Sequence, residues 1–317
     1  MLNRDYDDGI RSLQSALCES CLRRPFGVSR PSFRAGFQRI DMKIPSVFKA
    51  LLRSAVKSLF PRQFWRRRAH FLRQACHEPE LRLVPYLCDP QKIAVDIGAD
   101  VGVFSVQICG VSRKVIAFEP RPRQAAELTA MFSCLELPVE VEEVALSDHA
   151  GTAQLRVLTE DVGRSTIEAA NSLEDEGGSA KEQITVNVRK LDDYGLNDVA
   201  FIKIDVEGHE VSVLEGASET IERCLPFLLV ESEDRHRTNA VADVTAFLKQ
   251  RGYSGFFLND GVLVEMDRFD PSVYQDGRNI GGWKDGWSRK GIYVNNFLFS
   301  PPGREAQLRE ALTRSKS

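Results

Sequence analysis

The chain has 317 residues, enough for one large domain or two modest ones. With 43% apolar and 27% charged residues, its composition is that of an ordinary globular protein with a substantial core. No apolar run reaches the ~18 residues of a spanning helix, and the opening MLNRDYDDGI lacks the charged-then-apolar layout of a secretory signal. The net charge of −3 hides an asymmetry: residues 1–90 hold 17 Lys+Arg against 8 Asp+Glu, while the other 227 hold 25 against 37. No acidic residue occurs from Met42 to His77. Such a basic arm is an interaction surface or a flexible extension, not a determinant of fold.

Residues 1–41 are Arg-rich without sustained periodicity and are expected to be poorly ordered. The seven cysteines form no framework, which suits a reducing cytoplasm. Cys18 and Cys21 make a lone C-x-x-C, better read as coincidence than as zinc or redox chemistry. The character of the chain changes at Met42, an alternative start.

The basic helical segment 42–90 follows. In SVFKALLRSAVKSLF, Val47, Leu51, Ala55 and Leu59 share one helical face with Phe48, Leu52 and Val56 beside them, and Lys49, Arg53 and Lys57 lie opposite. Two arrangements fit this amphipathic helix. The favoured one packs it on the following domain with its lysines in water; the other lays residues 46–59 on an anionic membrane surface, at the inner face of the membrane. Pro61 ends the helix and FWRRRAHFLRQ follows.

From residue 91 to about 300, strands and helices alternate. KIAVDIG and KVIAFEP read as strands, with VFSVQIC between them as a helix stopping at Gly110. RQAAELTAMFSCLEL reads as a helix and VEVEEVALSD as a third strand. VAFIKIDVEGHE, a helix HEVSVLEGASETIERC, the strand PFLLVESE and the helix VADVTAFLKQR follow, the last stopping at Gly252. This alternation predicts a parallel sheet covered on both faces. GFFLNDGVLVE predicts a hairpin about Asn259-Asp260-Gly261, and IYVNNFLF a last strand; residues 301–317 form a tail. The Gly/Ser/Glu-rich stretch 159–183, between the alternating strands LRVL and ITVNVR, is expected to be a lid or insertion over the site.

Ligands of open parallel sheets bind beyond the carboxyl ends of the strands, where VDIGADVGVFS places its turn. Gly98 allows a tight turn, and Gly102 is expected to let the chain close on a ligand. D-x-G-x-x-x-G is not the G-x-G-x-x-G of a dinucleotide site, and Asp96 would oppose a pyrophosphate. A cationic, phosphate-free nucleoside suits the turn better, and S-adenosylmethionine is such a ligand. Glu119, closing the second strand, is placed to accept both ribose hydroxyls, against a plain solvated strand end. Ala145 and Leu146 are expected alongside adenine with Ser147 or Asp148 at its edge; a turn role for that pair is nearly as good. FIKIDVEGHE then brings Asp205, Glu207, His209 and Glu210 together beyond the fourth strand. Gly208 opens the next helix, whose dipole favours a neutral His209. Plain helix capping is the alternative for Glu210. Glu231 and His236 are second-tier candidates.

In order, VDIGADVGVFS, VIAFEP, VALSDHAG, KLDDY, FIKIDVEGHEVSVLEGA and PFLLVE resemble the FkbM-type S-adenosylmethionine-dependent methyltransferases, over about residues 91–300. Asp100 stands where that family usually has Asn. The resemblance implies an α/β Rossmann-like class I methyltransferase fold, a seven-stranded mostly parallel sheet with its last strand antiparallel. It also implies methylation of hydroxyls on sugars, glycolipids, polysaccharides or polyketides. Motif-matched positions carry the cofactor: Asp96, Gly98, Ala99 and Gly102 at the methionine end, Glu119 at the ribose, Ser147 and Asp148 near adenine, and Asp205 near the reacting methyl.

Methyl transfer to a hydroxyl needs alignment, exclusion of water and a base for the proton. His209 is the expected base, oriented by Asp205 or Glu207, with Glu231 as the alternative. A divalent metal on Asp205, Glu207 and Glu231 is the less favoured route, because carboxylates alone are weak metal evidence. Two other classes stay open: a nicotinamide-dependent oxidoreductase on a similar sheet, and a non-catalytic S-adenosylmethionine-binding module. Nucleic acid is not expected as substrate, since the acidic domain lacks a basic groove. Trp283 and Trp287 are candidates for stacking on a sugar acceptor, with core packing an equal explanation.

Overall fold

The computed structural model describes residues 46–75, 78–158, 165–168, 171, 181–280 and 291–316. Residues 1–41 with Cys18 and Cys21, the boundary at Met42, most of the expected lid, Trp283 and Trp287 lie outside them. Contacts separate a large unit, Val56–Gly277 with Ile292–Ser317, from a small one, Met1–Ala55 with Arg278–Gly291. The sheets and the candidate site belong to the large unit.

The main sheet has eight strands. β1 (Ile93–Ile97), β2 (Lys114–Phe118), β3 (Val139–Glu142), β8 (Val199–Ile204) and β9 (Phe227–Glu231) run parallel in the order β3-β2-β1-β8-β9. β12 (Asn296–Ser300) lies antiparallel between β9 and β10 (Ser254–Asn259), as expected for the last strand. The sheet exceeds the expected seven strands by one, because β11 (Val262–Glu265), the second arm of the hairpin, pairs with β10 and extends the edge.

β1 and β8 are buried along their whole length, since helices cover both faces. Alternate residues serve opposite cores. Val95, Ile202, Leu228 and Val230 pack with Val213 of α6 (Glu210–Glu215) and Val244 of α8 (Ala240–Gln250). Ala94, Phe201 and Leu229 pack with Leu87 of α3 (Val84–Leu87), Ile108 of α4 (Val103–Ile108) and Leu308 of α10 (Glu305–Arg314). The segment after Ser300 is thus part of the core.

Two predicted elements are divided. The third strand breaks after Glu142, and β4 (Ala145–Leu146) joins a second sheet of order β4-β7-β5-β6. There the long β5 (Gly151–Leu158) and β7 (Lys181–Arg189) pair antiparallel, with β6 (Ser165–Thr166) at the edge. The helix after Gly208 stops at Gly216 and resumes as α7 (Ser218–Cys224). A Cβ on Gly216 would lie 1.9 Å from the Ser147 carbonyl oxygen, so the break lets two backbones meet.

α1 (Ser46–Leu59) and α2 (Pro61–Ala75) precede the sheet. Phe64, Trp65, Ala69 and Leu72 of α2 are buried with Leu128, Met131 and Phe132 of α5 (Pro122–Leu135). The end of α1 reverses the favoured expectation. Its Lys57 turns inward, 3.0 Å from Glu127 and 4.6 Å from the Trp65 ring centre, while Val56 and Leu59 are exposed. No helix among the described residues is long and apolar enough to cross a membrane.

Candidate active site

A cavity opens beyond the carboxyl ends of β1, β2 and β8, where the strand order reverses. Its walls include Gly98 and Asp100 after β1, Glu119 and Arg121 after β2, and Asp205, Glu207 and His209 after β8. Phe118, Val144, Ala145, Leu146 and Ile167 supply an apolar side. The Gly98 amide donates to Phe118 and the Asp205 amide to Ile97, both at 3.0 Å, which ties the three strand ends together. Gly98 has φ +81°, and a Cβ there would sit 1.8 Å from the Asp205 carbonyl oxygen, so only glycine fits.

Several residues expected at the ligand are not on the cavity wall. Asp96 is fully buried and accepts from Ser105 Oγ at 2.5 Å; it is not on the cavity wall. Burial pushes its carboxyl up to about 6, against the Ser105 hydrogen bond. The negative charge facing the cavity comes from Asp100, Glu119, Asp205 and Glu207 instead. Ala99 and Gly102 also leave the cavity. Ala99 packs in the α2–α5 core, and a Cβ on Gly102 would meet Leu128 at 2.7 Å, so that glycine lets α5 approach. Ser147 and Asp148 are off the wall as well, and the preceding Ala145 and Leu146 line it.

Glu119 is saturated. Its Oε1 accepts from the Arg121 amide (2.9 Å) and Nε (2.7 Å), and its Oε2 from the Asp100 amide (2.8 Å) and Arg121 Nη2 (3.0 Å). Arg121 Nη2 also reaches Asp100 Oδ1 at 2.7 Å, which shows what the unusual carboxylate at position 100 does. Neither the Arg121 contact nor its consequence is visible in sequence spacing alone.

Beyond β8 the chain turns through Glu207 (φ +52°) and Gly208 (φ +103°) to His209, which caps α6. The Glu207 carbonyl accepts from Thr166 Oγ1 (2.9 Å) and Asn171 Nδ2 (2.7 Å), tying described parts of the lid stretch to the turn. Neither Asp205 nor Glu207 orients His209. Glu168 does, its Oε2 3.3 Å from Nδ1, while Nε2 is 2.9 Å from Ser147 Oγ. Nδ1–H donates to the Glu168 carboxylate, so the neutral ring keeps its lone pair on Nε2, and the one Ser147 hydroxyl proton is shared between Nε2 and Asp148 Oδ1, each 2.9 Å from Oγ. Burial holds the His209 pKa below the usual histidine value against the pull of Glu168, which keeps the ring neutral and receptive. Glu207 is engaged with His236, whose Nε2 lies 2.9 Å away.

Lys203 lies behind this turn with no exposed surface, its ammonium 3.6 Å from both Asp205 and Glu231. Burial alone would lower its pKa; Asp205 and Glu231 outweigh that and hold it charged. Glu231 is off the cavity wall, and burial followed by the Asp205 charge raises its pKa well above normal. A buried ammonium beside two of the three carboxylates proposed as metal ligands opposes a divalent cation there.

The family model of the methyltransferase FkbM domain matches residues 96–254, from β1 to the start of β10. The chain belongs to the FkbM methyltransferase family. It is an S-adenosylmethionine-dependent methyltransferase, and the oxidoreductase alternative falls. The 2-O-methyltransferase NoeI of Sinorhizobium fredii is 27% identical over 168 residues, 49% of this chain and 68% of that protein. The methyltransferase sdnD of Sordaria araneosa is 27% identical over 191 residues, 50% of this chain and 72% of that protein. A solved methyltransferase FkbM from Methylobacillus flagellatus KT is similar at 15% identity and a TM-score of 0.41, covering 78% of this chain and 60% of that one.

The cavity fits the cofactor of an FkbM methyltransferase in charge and polarity. Carboxylates face the space a cation would take, the wall opposite is apolar, and Gly98 keeps the floor free of a side chain. Arg121 is the exception, because a carboxylate has about four acceptor positions and all those of Glu119 are filled. Ribose hydroxyls can bind Glu119 only after the guanidinium withdraws. Arg121→Ala is therefore expected to bind S-adenosylhomocysteine about tenfold more tightly by calorimetry, since the open form no longer has to be selected. It is also expected to melt at a lower temperature, since Glu119 and Asp100 lose their shared counter-charge. Weaker binding by the variant would make Arg121 part of the ligand cradle instead.

Proposed function

We propose that this FkbM methyltransferase methylates a hydroxyl on a sugar, glycolipid, polysaccharide or secondary metabolite, with S-adenosylmethionine as donor. The observation that carries this reading is His209 on the cavity wall, a neutral imidazole backed by the Glu168 carboxylate 3.3 Å from its Nδ1. A hydroxyl is a weak nucleophile and needs its proton removed as it attacks, whereas an amine needs no strong base. The bound cofactor supplies a methyl group on sulfonium, a leaving group that needs no acid. Asp205, Asp100 and Glu119 present negative charge to the donor, Phe118 and Leu146 exclude water, and His209 with Glu168 holds the acceptor's proton. The relative NoeI, a 2-O-methyltransferase by name, supports oxygen as the target. The cavity carboxylates disfavour a phosphate backbone as acceptor.

The test is transfer of labelled methyl from S-adenosylmethionine into fractionated glycans, lipids and small metabolites of the source cell. Label that survives mild alkali, as an ether does, is the expected result. Label on nitrogen, or none in any fraction from a chain that binds the cofactor, would sink the reading; the second outcome identifies a non-catalytic binder.

A further inference from the structure

We propose that the outward face at the junction of α1 and α2 docks on an anionic lipid surface. Helical hydrogen bonds flank the junction at Pro61: the Phe60 amide donates to Val56 and the Phe64 amide to Phe60, at 2.9 and 3.0 Å. Residues spaced by three, four and seven therefore share a face. Val56, Leu59 and Phe60 stand on the side away from the buried Trp65 and Leu72, and are 37%, 72% and 55% exposed. One heptad further along that side come Arg66 and Arg67, both exposed. Among the described residues, Leu59 and Phe60 are two of the seven large apolar side chains left in water, and they are neighbours.

The inward turn of Lys57 gives this exposure its meaning. A helix end that used its apolar residues for the core would bury Val56 and show its lysine; here Lys57 pairs with Glu127 against the domain, and Val56, Leu59 and Phe60 are left outside. The charge of the segment selects the occupant. No acidic residue occurs from Met42 to His77, so a second copy would set cationic surface against cationic surface. An anionic bilayer accepts both features, with apolar side chains entering the headgroup boundary and arginines held at its surface. The inference does not depend on which acceptor is methylated.

Co-sedimentation of the full chain tests it, with vesicles of phosphatidylcholine alone and of phosphatidylcholine mixed with phosphatidylglycerol. The expected result is binding to the mixed vesicles, little binding to the neutral ones, and release by salt. The doubles Leu59→Ser/Phe60→Ser and Arg66→Glu/Arg67→Glu are each expected to lower partitioning on the order of tenfold or more, with S-adenosylhomocysteine binding unchanged. A native chain that stays in the supernatant, or doubles that partition like it, overturns the proposal. So does self-association of the native chain that Leu59→Ser/Phe60→Ser abolishes, which assigns the face to a dimer.

Discussion

Lys203→Met is expected to lower the unfolding free energy by about 3–5 kcal/mol, the cost of leaving buried charge without its partner. The side chain has no exposed surface, its ammonium lies 3.6 Å from Asp205 and from Glu231, and the Phe104 ring lies 4.9 Å from it. In register, Lys203 stands beside Asp96 on β1, so a third carboxylate, this one fully buried, leans on the same charge. Methionine fills the space but leaves these groups to repel one another. They can then ionise only at a higher pH, and the variant should recover stability as the pH falls. Adding Glu231→Gln removes one repelling charge and is expected to restore part of the loss. Urea denaturation of the two singles and the double measures the coupling; a Lys203→Met midpoint equal to that of the native chain would show that the ammonium is not the counter-charge.

His209→Ala is expected to reduce turnover about 10²–10⁴-fold while S-adenosylhomocysteine binds as before, since the lost group acts on the acceptor's proton. The pH profile carries the sign. The neutral ring is the active form, so kcat/KM rises with pH as His209 loses its proton. Burial places that limb below the ordinary histidine value of about 6.5. Glu168 pulls the His209 pKa upward, so Glu168→Gln should move the limb to still lower pH and slow the reaction through loss of the carboxylate that steadies the charged ring. Unchanged turnover in His209→Ala would pass the role to Asp205, the next titratable group on the wall.

Much of this protein can be read along the chain. β-branched runs alternating with amphipathic segments announce the covered parallel sheet, and Asn259-Asp260-Gly261 announces the hairpin, because these patterns are local and the backbone obeys them locally. The ordered motifs from VDIGADVGVFS to PFLLVE point to the methyltransferase family, and Gly98 stands where a side chain would strike the neighbouring strand end. The direction of each polar side chain at the strand ends is a different matter, settled by the partners that the folded chain sets around it. Asp96 turns to Ser105 and away from the cavity, and Glu119 is held by an arginine two residues on. His209 takes its carboxylate from Glu168, a residue 41 positions earlier. Helical periodicity identifies an apolar stripe on α1 but carries no information on which side the domain lies. That depends on Lys57 finding Glu127, 70 positions further on, and charge pairing acts on such a contact without regard to sequence distance.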